Sequence, residues 1–231
     1  MKLLSFDTSS QKFSLAISDG DKFLATKTVI NDRALSSRIF PALEALFKRA
    51  DISIKKIDGI VVGLGPGSFT SLRVGVSTAK GLAYALGKPI IGVSSLDAIA
   101  MNVKKGSCDQ ICVFVDARRG MVYTAIYKCL EDGIGLVSEY MLVEPQKVLR
   151  LLKGDVTFIG DGIPLYQDII EEKGRLKSAK FSPIFLDEKK WLPLAKNLAR
   201  VAQMRFENKD FDNIDTLVPL YLYPQDCQVR R

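Results

Sequence analysis

Three aspartates sit where an apolar run gives way to a turn: Asp7, followed by Thr8 and Ser9; Asp116, within VDARRG; and Asp161, between Gly160 and Gly162. On facing turns, such groups can hold phosphates through backbone N–H groups and small hydroxyls while an aspartate reaches a hydrated Mg²⁺. Asp and Thr also stabilise turns by purely local hydrogen bonds, and the residues alone leave both readings open. A fourth stretch, GLGPGSFT from Gly63 to Thr70, breaks an apolar strand and launches a helix. Gly65, Gly67 and Ser68 there could attract a phosphate at the helix N-terminus. The loop lacks the Gly-Lys-Ser/Thr ending of a Walker loop and the G-x-G-x-x-G of a dinucleotide fold, so by itself it reads as a tight turn with Ser68 as cap. Ser68 and Ser71 have no histidine to activate them, which leaves only a lysine such as Lys80 for that role.

Composition narrows the chemistry. The 231 residues contain no histidine, which excludes histidine-dependent triads and the common zinc sites. Cys108, Cys112, Cys129 and Cys227 form neither a C-x-x-C pair nor a dense framework, and are expected to be buried or incidental thiols. A net charge of +7 and a pI of about 9.2 suit acidic partners or RNA, but the basic residues are scattered and no aromatic RNA-binding signature accompanies them. No run of about 18 apolar residues could span a membrane, and MKLLSFDTSS meets an acidic residue too early for a secretory signal. A cytoplasmic protein is expected.

The elements that must position these groups are legible in order. Leu3 to Phe6 is a short apolar strand, Phe13 to Ile17 alternates on a second, and a turn at Ser18 to Asp21 leads to a third around Phe23 to Ile30. Asn31 or Asp32 can cap a helix with a stripe of Leu35, Ile39, Leu43, Leu46 and Ala50, flanked by Phe40 and Phe47. Ile57 to Leu64 reads as a strand covered on both faces. After the glycine loop, Leu72, Val76, Ala79, Ala83 and Leu86 form one helical face, and Val74, Gly75, Thr78, Leu82 and Ala85 a second. Arg73, Ser77, Lys80 and Tyr84 are left as a narrow polar stripe. A helix apolar on two sides lies deep in a core or packs its own domain on one side and a partner on the other. Gly87-Lys-Pro89 ends it, Ile90 to Val93 is another buried strand, and Ser94 or Ser95 caps a helix to about Asn102.

Aligning Asp116 with Asp7 brings CVFVDARRGMVYTAIY onto LLSFDTSSQKFSLAIS: a strand ending at aspartate, a turn, a returning strand. A third strand at 135–143, a helix at 145–153, a strand at 156–159 and a helix through about Lys173 continue the order. This predicts two similar α/β domains, 1–104 and 105–231, and a last helix at 193–209 whose domain the sequence leaves open.

The block GxGPGSFTxLRxGxxxAKGLA, here Gly63 to Ala83, with FDTS at Phe6 to Ser9, VDARRGxVY at Val115 to Tyr123 and GDG at Gly160 to Gly162, resembles the TsaB (YeaZ) family over nearly the whole chain. The resemblance implies the actin, Hsp70 and sugar-kinase fold, two related α/β domains, each a mixed sheet with flanking helices. It also implies a non-catalytic partner subunit in the formation of N6-threonylcarbamoyladenosine at position 37 of tRNAs that read codons beginning with A. The TsaD-type subunit would carry the metal and the transfer, a TsaE-type ATPase would join the pair, and tRNA would be met only indirectly. No cofactor is expected on this chain, with ATP and metal on its partners; a homodimer of the isolated chain is a further expectation. The family's partner-binding helices correspond by position to 33–50 and 68–86. This points to Leu35, Ile39, Phe40, Leu43, Leu72, Arg73, Val76, Ala79, Lys80 and Ala83 as interface residues, with Asp7, Thr8, Ser9, Gly65, Gly67, Ser68, Asp116 and Asp161 lining a vestigial nucleotide cleft. Four positions depart from the family pattern, Leu35, Leu64, Ser71 and Tyr223. The alternatives are an ATP-dependent kinase or ATPase of the same fold acting through Asp7 and Asp116, and a basic tRNA-binding module.

Overall fold

A computed structural model describes residues 1–30, 35–131 and 133–223. Two compact units divide the chain: Met1–Ala98 with Pro193–Leu220, and Ile99–Leu192 with the segment from Tyr221.

The first unit opens with three antiparallel strands, β1 (Lys2–Asp7), β2 (Lys12–Asp19) and β3 (Lys22–Ile30), followed by helix α1 (Leu35–Ala50). Strand β4 (Gly59–Gly63) then joins β1 in parallel, helix α2 (Phe69–Leu86) follows, and β5 (Ile90–Val93) completes a sheet of order β3-β2-β1-β4-β5. Alternation sorts the side chains. Leu4, Phe6, Ile60 and Val62 face α1 and α2, packing on Ile39, Leu43, Leu46, Val76 and Ala79. Leu3, Val61, Ile91 and Val93 face the other side. A short helix α3 (Ser95–Ala100) begins just after β5, and the side chain of Ser94 caps it by accepting from Leu96 N–H at 3.2 Å. The proposed caps Asn31 and Asp32 of α1 lie outside the described residues.

The second unit repeats the plan. Strands β6 (Gln110–Asp116) and β7 (Val122–Cys129) are antiparallel, and β7 is flanked by β8 (Ile134–Leu136) and β9 (Met141–Val143). After a short helix α4 (Pro145–Leu149) come β10 (Gly154–Ile159), α5 (Ile163–Arg175) and β11 (Phe181–Phe185), giving the order β11-β10-β6-β7-β8 with β6, β10 and β11 parallel. Read from the other edge, this is the order of the first sheet. Three expectations need correcting. The single strand at 135–143 is two, because Ser138 turns the chain and its hydroxyl accepts from Ile126 N–H at 2.9 Å. The helix at 145–153 ends at Leu149, before Gly154, whose φ is +70°. Strand β11 was not expected at all: Pro183 argues against a strand, and its edge position explains why it is tolerated.

Helix α6 (Ala195–Glu207) belongs to the first unit. Its Leu198, Ala202 and Phe206 cover the sheet face that α1 and α2 leave open. Gly59 is required there, since a Cβ would lie 2.1 Å from the Phe206 ring. Ser5 Oγ donates to Ala195 O at 2.8 Å, and Ala195 N–H donates to Ser14 Oγ at 2.9 Å, tying the start of α6 to β1 and β2.

Candidate functional site: two aspartate turns and a helix face

In the first unit, the turn after β1 is closed by its own hydroxyls. Asp7 is fully buried; its Oδ1 accepts from Ser9 N–H at 2.8 Å and Ser9 Oγ at 2.6 Å, and its Oδ2 accepts from Ser95 Oγ at 2.5 Å. Burial pushes the carboxyl above the ordinary range, and the serine donors act in the opposite direction. Ser95 Oγ in turn accepts from Gly65 N–H at 3.1 Å, and Ser95 N–H donates to Gly65 O at 2.8 Å. Thr8 Oγ1 donates to Ser71 O on α2 at 2.8 Å, and Ser68 N–H donates to Ser9 O at 2.8 Å.

The glycines make room for this knot. A Cβ on Gly63 would lie 1.9 Å from Asp7 Oδ2, on Gly67 2.3 Å from Ser9 O, and on Gly75 2.2 Å from Thr8 Oγ1. The loop therefore clasps the DTS turn with its backbone. Asp7, Thr8, Ser9, Gly65, Gly67 and Ser68 do come together, but as a packed joint between β1, α2 and α3. Ser68 does not cap α2 by its side chain; its Oγ pairs with Ser71 Oγ at 3.0 Å.

In the second unit, Asp116 is half-buried. Its Oδ1 accepts from Arg118 N–H at 2.8 Å and its Oδ2 lies 3.2 Å from Arg118 Nη1. Asp161 comes beside it, with Oδ1 accepting from Asp116 N–H at 3.1 Å. The Asp161 carboxyl is pushed up by desolvation first and by the charge of Asp116 second, although the residue as a whole is exposed. Arg118, Arg119 and Gly120 are three consecutive left-handed residues at the tip, with φ of 64°, 53° and 74°. Among the described residues, no group of three or more histidines, cysteines or carboxylates could hold a metal ion, and no helix is long and apolar enough to cross a membrane.

The expected interface residues split by orientation. Leu35, Ile39, Leu43, Val76, Ala79 and Ala83 are buried in the first unit's own core, and Leu72 is buried beside Gly65, so in this chain all seven pack inward. This corrects the sequence reading, which took the apolar stripe for the docking face. Lys80 is spent internally, with Nζ donating to Asp215 O at 3.1 Å and Leu217 O at 3.3 Å. Phe40 and Arg73 do face outward. With them stand Phe69, which periodicity does not single out, and Tyr84, which it places on the polar stripe of α2; Phe40 is 57% exposed, Phe69 53% and Tyr84 84%. The Arg73 guanidinium stacks over the Phe69 ring at 3.9 Å. Gly81 lies on this face in mid-helix, and a Cβ there would meet nothing within 4 Å. An open groove of about 670 Å³ is lined by Phe40 and Phe47 of α1, Leu82 of α2 and Ile54 of the segment between α1 and β4.

The departures from the family pattern also find places. Leu64 packs over Gly92, where a Cβ would lie 2.6 Å from its Cδ1. The hydroxyl of Tyr223 donates to Ala117 O at 2.8 Å, and its ring meets Tyr123 edge-on at 6.1 Å.

The two mixed sheets of common strand order, with flanking helices and an aspartate turn in each, define an actin-like fold. A ROK hexokinase from Thermus thermophilus shares it, with a TM-score of 0.52 at 12% identity, 90% of this chain and all of that one being covered. The family model described as "TsaD: tRNA N6-adenosine threonylcarbamoyltransferase" matches residues 28–229. A Bacillus subtilis protein named "tRNA threonylcarbamoyladenosine biosynthesis protein TsaB" is 31% identical over 100% of this chain and 97% of its own. YeaZ from Pseudomonas aeruginosa superposes with a TM-score of 0.81 at 25% identity, covering 96% of this chain and 99% of its own. The chain belongs to the TsaB (YeaZ) family of TsaD-like proteins.

Proposed function

We propose that this chain is a non-catalytic subunit in tRNA threonylcarbamoyladenosine formation, and that it docks the outward face of α1 and α2 on a TsaD-type catalytic subunit and stabilises it. ATP and metal then sit on the partners, a TsaE-type ATPase joins the pair, and tRNA contacts the assembly chiefly elsewhere. The observation that carries this reading is Gly81. A glycine inside a helix costs about 1 kcal/mol relative to alanine. The fold of the lone chain gives no return for it, because the space where a Cβ would go is open. Close approach of another backbone accounts for it. Phe69 and Tyr84 of α2 and Phe40 of α1 are exposed, and fully burying an aromatic or aliphatic side chain of this kind contributes roughly 1.5–3 kcal/mol. In the absence of a partner, the same face favours pairing of two copies.

The kinase or ATPase alternative is disfavoured by the first turn. Both Asp7 oxygens already accept bonds from the chain's own serines, and the carboxyl is sealed from solvent. The test is calorimetric titration of the TsaD-type subunit with the native chain and with Gly81→Arg. The variant keeps the native melting temperature, since its side chain projects into solvent, and loses binding by about 100-fold or more, the scale on which hot-spot disruptions act. Equal affinity of a folded Gly81→Arg chain sinks the interface assignment.

A further inference from the structure

The positive charge of the chain is scattered in the sequence but gathered by the fold. Residues 147–153 and 173–180 carry seven lysines and arginines and no carboxylate, which equals the whole formal net charge of +7 and leaves the rest of the chain balanced. The parallel pairing of β10 with β11 brings the two segments together, with Gly154 opposite Phe181 and Gly154 N–H donating to Lys180 O at 2.9 Å. Gly174, near the end of α5, packs directly on β11: a Cβ there would lie 2.6 Å from Pro183 Cδ. The segments meet around a pocket of about 350 Å³. Buried Leu149, Leu152 and Phe181 give it an apolar lining, and the exposed cations Arg150, Lys173 and Lys180 stand at it. Among the described residues the lining holds no carboxylate, and these three cations form no ion pair. Of the other cations, Lys147 pairs with Glu144 at 3.8 Å and Arg175 with Glu171 at 2.7 Å.

We propose that this surface of the second unit is an RNA-backbone site, across which the phosphates of a folded tRNA lie and where one phosphate seats in the pocket with Arg150, Lys173 and Lys180. Like charges on adjoining segments repel one another, and a polyanion laid across them turns that repulsion into binding. The chemistry favours phosphates over bases. Lysine offers a point charge with three donors, and arginine a fork that grips two phosphate oxygens. Phe181 is 7% exposed, and among the described residues no other aromatic ring lines the pocket to stack a base. The contact is therefore independent of base sequence and adds to those made elsewhere in the assembly. The choice of RNA over an acidic protein rests on the function proposed above, but the site uses no residue of the α1–α2 face.

The test is fluorescence anisotropy of labelled, unmodified tRNA titrated with the whole chain over a series of salt concentrations. Binding that weakens steeply with salt is expected. Lys173→Glu with Lys180→Glu lowers the affinity about tenfold or more at about 0.1 M salt and flattens the salt slope by about one per lysine lost. Glutamine at both positions repeats the loss in weaker form without adding negative charge, and Lys173→Arg with Lys180→Arg keeps the native affinity. The same charge reversal at exposed positions of the first unit, Lys12→Glu with Lys22→Glu, changes the affinity by less than about twofold, since charges beyond about 10 Å are screened at that salt. Gly81→Arg binds tRNA as the native chain does, so failure of the helix-face docking and failure of this site are told apart. The proposal is overturned by native affinity in both the glutamate and glutamine variants, by a native chain that shows no salt-dependent binding, or by polyglutamate displacing the tRNA as readily as unlabelled tRNA does, which would mark the surface as a site for acidic protein.

Discussion

In each unit a strand ends at an aspartate whose Oδ1 accepts the N–H two residues further on, Ser9 to Asp7 and Arg118 to Asp116, each at 2.8 Å. What surrounds these two turns differs. Around Asp7 the neighbours are small: Ser9, Ser95, Gly63 and, through Thr8, Gly75. They let α2 and α3 close down until the carboxyl is sealed. Around Asp116 the neighbours are Arg118 at an exposed tip and Asp161 just beyond β10, and the carboxyl stays half open. One turn has become a structural joint that aims α2, and the other has kept a polar surface. The same hydrogen-bonding motif can therefore serve packing or stay exposed, and the size of its neighbours decides which.

The largest effect expected from this contrast is on stability. Asp7→Ala leaves two hydroxyls and an N–H buried without an acceptor, at about 1–3 kcal/mol each at most, for a total near 3 kcal/mol after relaxation. Asp116→Ala removes a partly solvated turn bond and costs under about 1 kcal/mol. Urea unfolding of the two variants measures the difference, and equal losses break the comparison. Asp7 also carries a pH signature. With its folded pKa raised above the unfolded value of 3.8, the protonated form favours the folded chain. The stability it contributes is complete below that unfolded value and is lost as pH rises through the folded pKa. The native chain should therefore lose stability relative to Asp7→Asn between acid and neutral pH; a gain contradicts the assignment.

Two glycines of α2 sharpen the contrast further, with opposite signs. Gly75→Ala places a methyl 2.2 Å from Thr8 Oγ1 and destabilises by about 1–3 kcal/mol despite alanine's better helix propensity. Gly81→Ala meets nothing and stabilises the isolated chain by roughly 0.5–1 kcal/mol. Melting temperatures of the two variants moving in the same direction would undo the distinction between the helix's inner and outer faces.

Much of the fold was legible because its signals are local and periodic. The row Ile60, Val61 and Val62 announced a strand covered on both sides, and the echo between Asp7 and Asp116 announced a repeated plan. Strand β11 is hidden by Pro183, which reads against a strand until its edge position is known. The site was less legible. Periodicity finds the apolar stripe of α2 but not which side meets the sheet, and the family resemblance then points to Leu72 and Val76 as interface residues, whereas both are buried in the lone chain. Gly75 and Gly81 look alike in the sequence; only the distance to Thr8 separates them.

The measurement that tests the account most directly is the threonylcarbamoyladenosine content of tRNA in cells whose native copy is replaced by Asp116→Asn or by Gly81→Arg. The account predicts near-native modification with Asp116→Asn, which removes the carboxylate of the second unit's turn, and loss of the modification with Gly81→Arg, which blocks the helix face. Loss with Asp116→Asn and full modification with Gly81→Arg, both chains being folded and present at native levels, would contradict it.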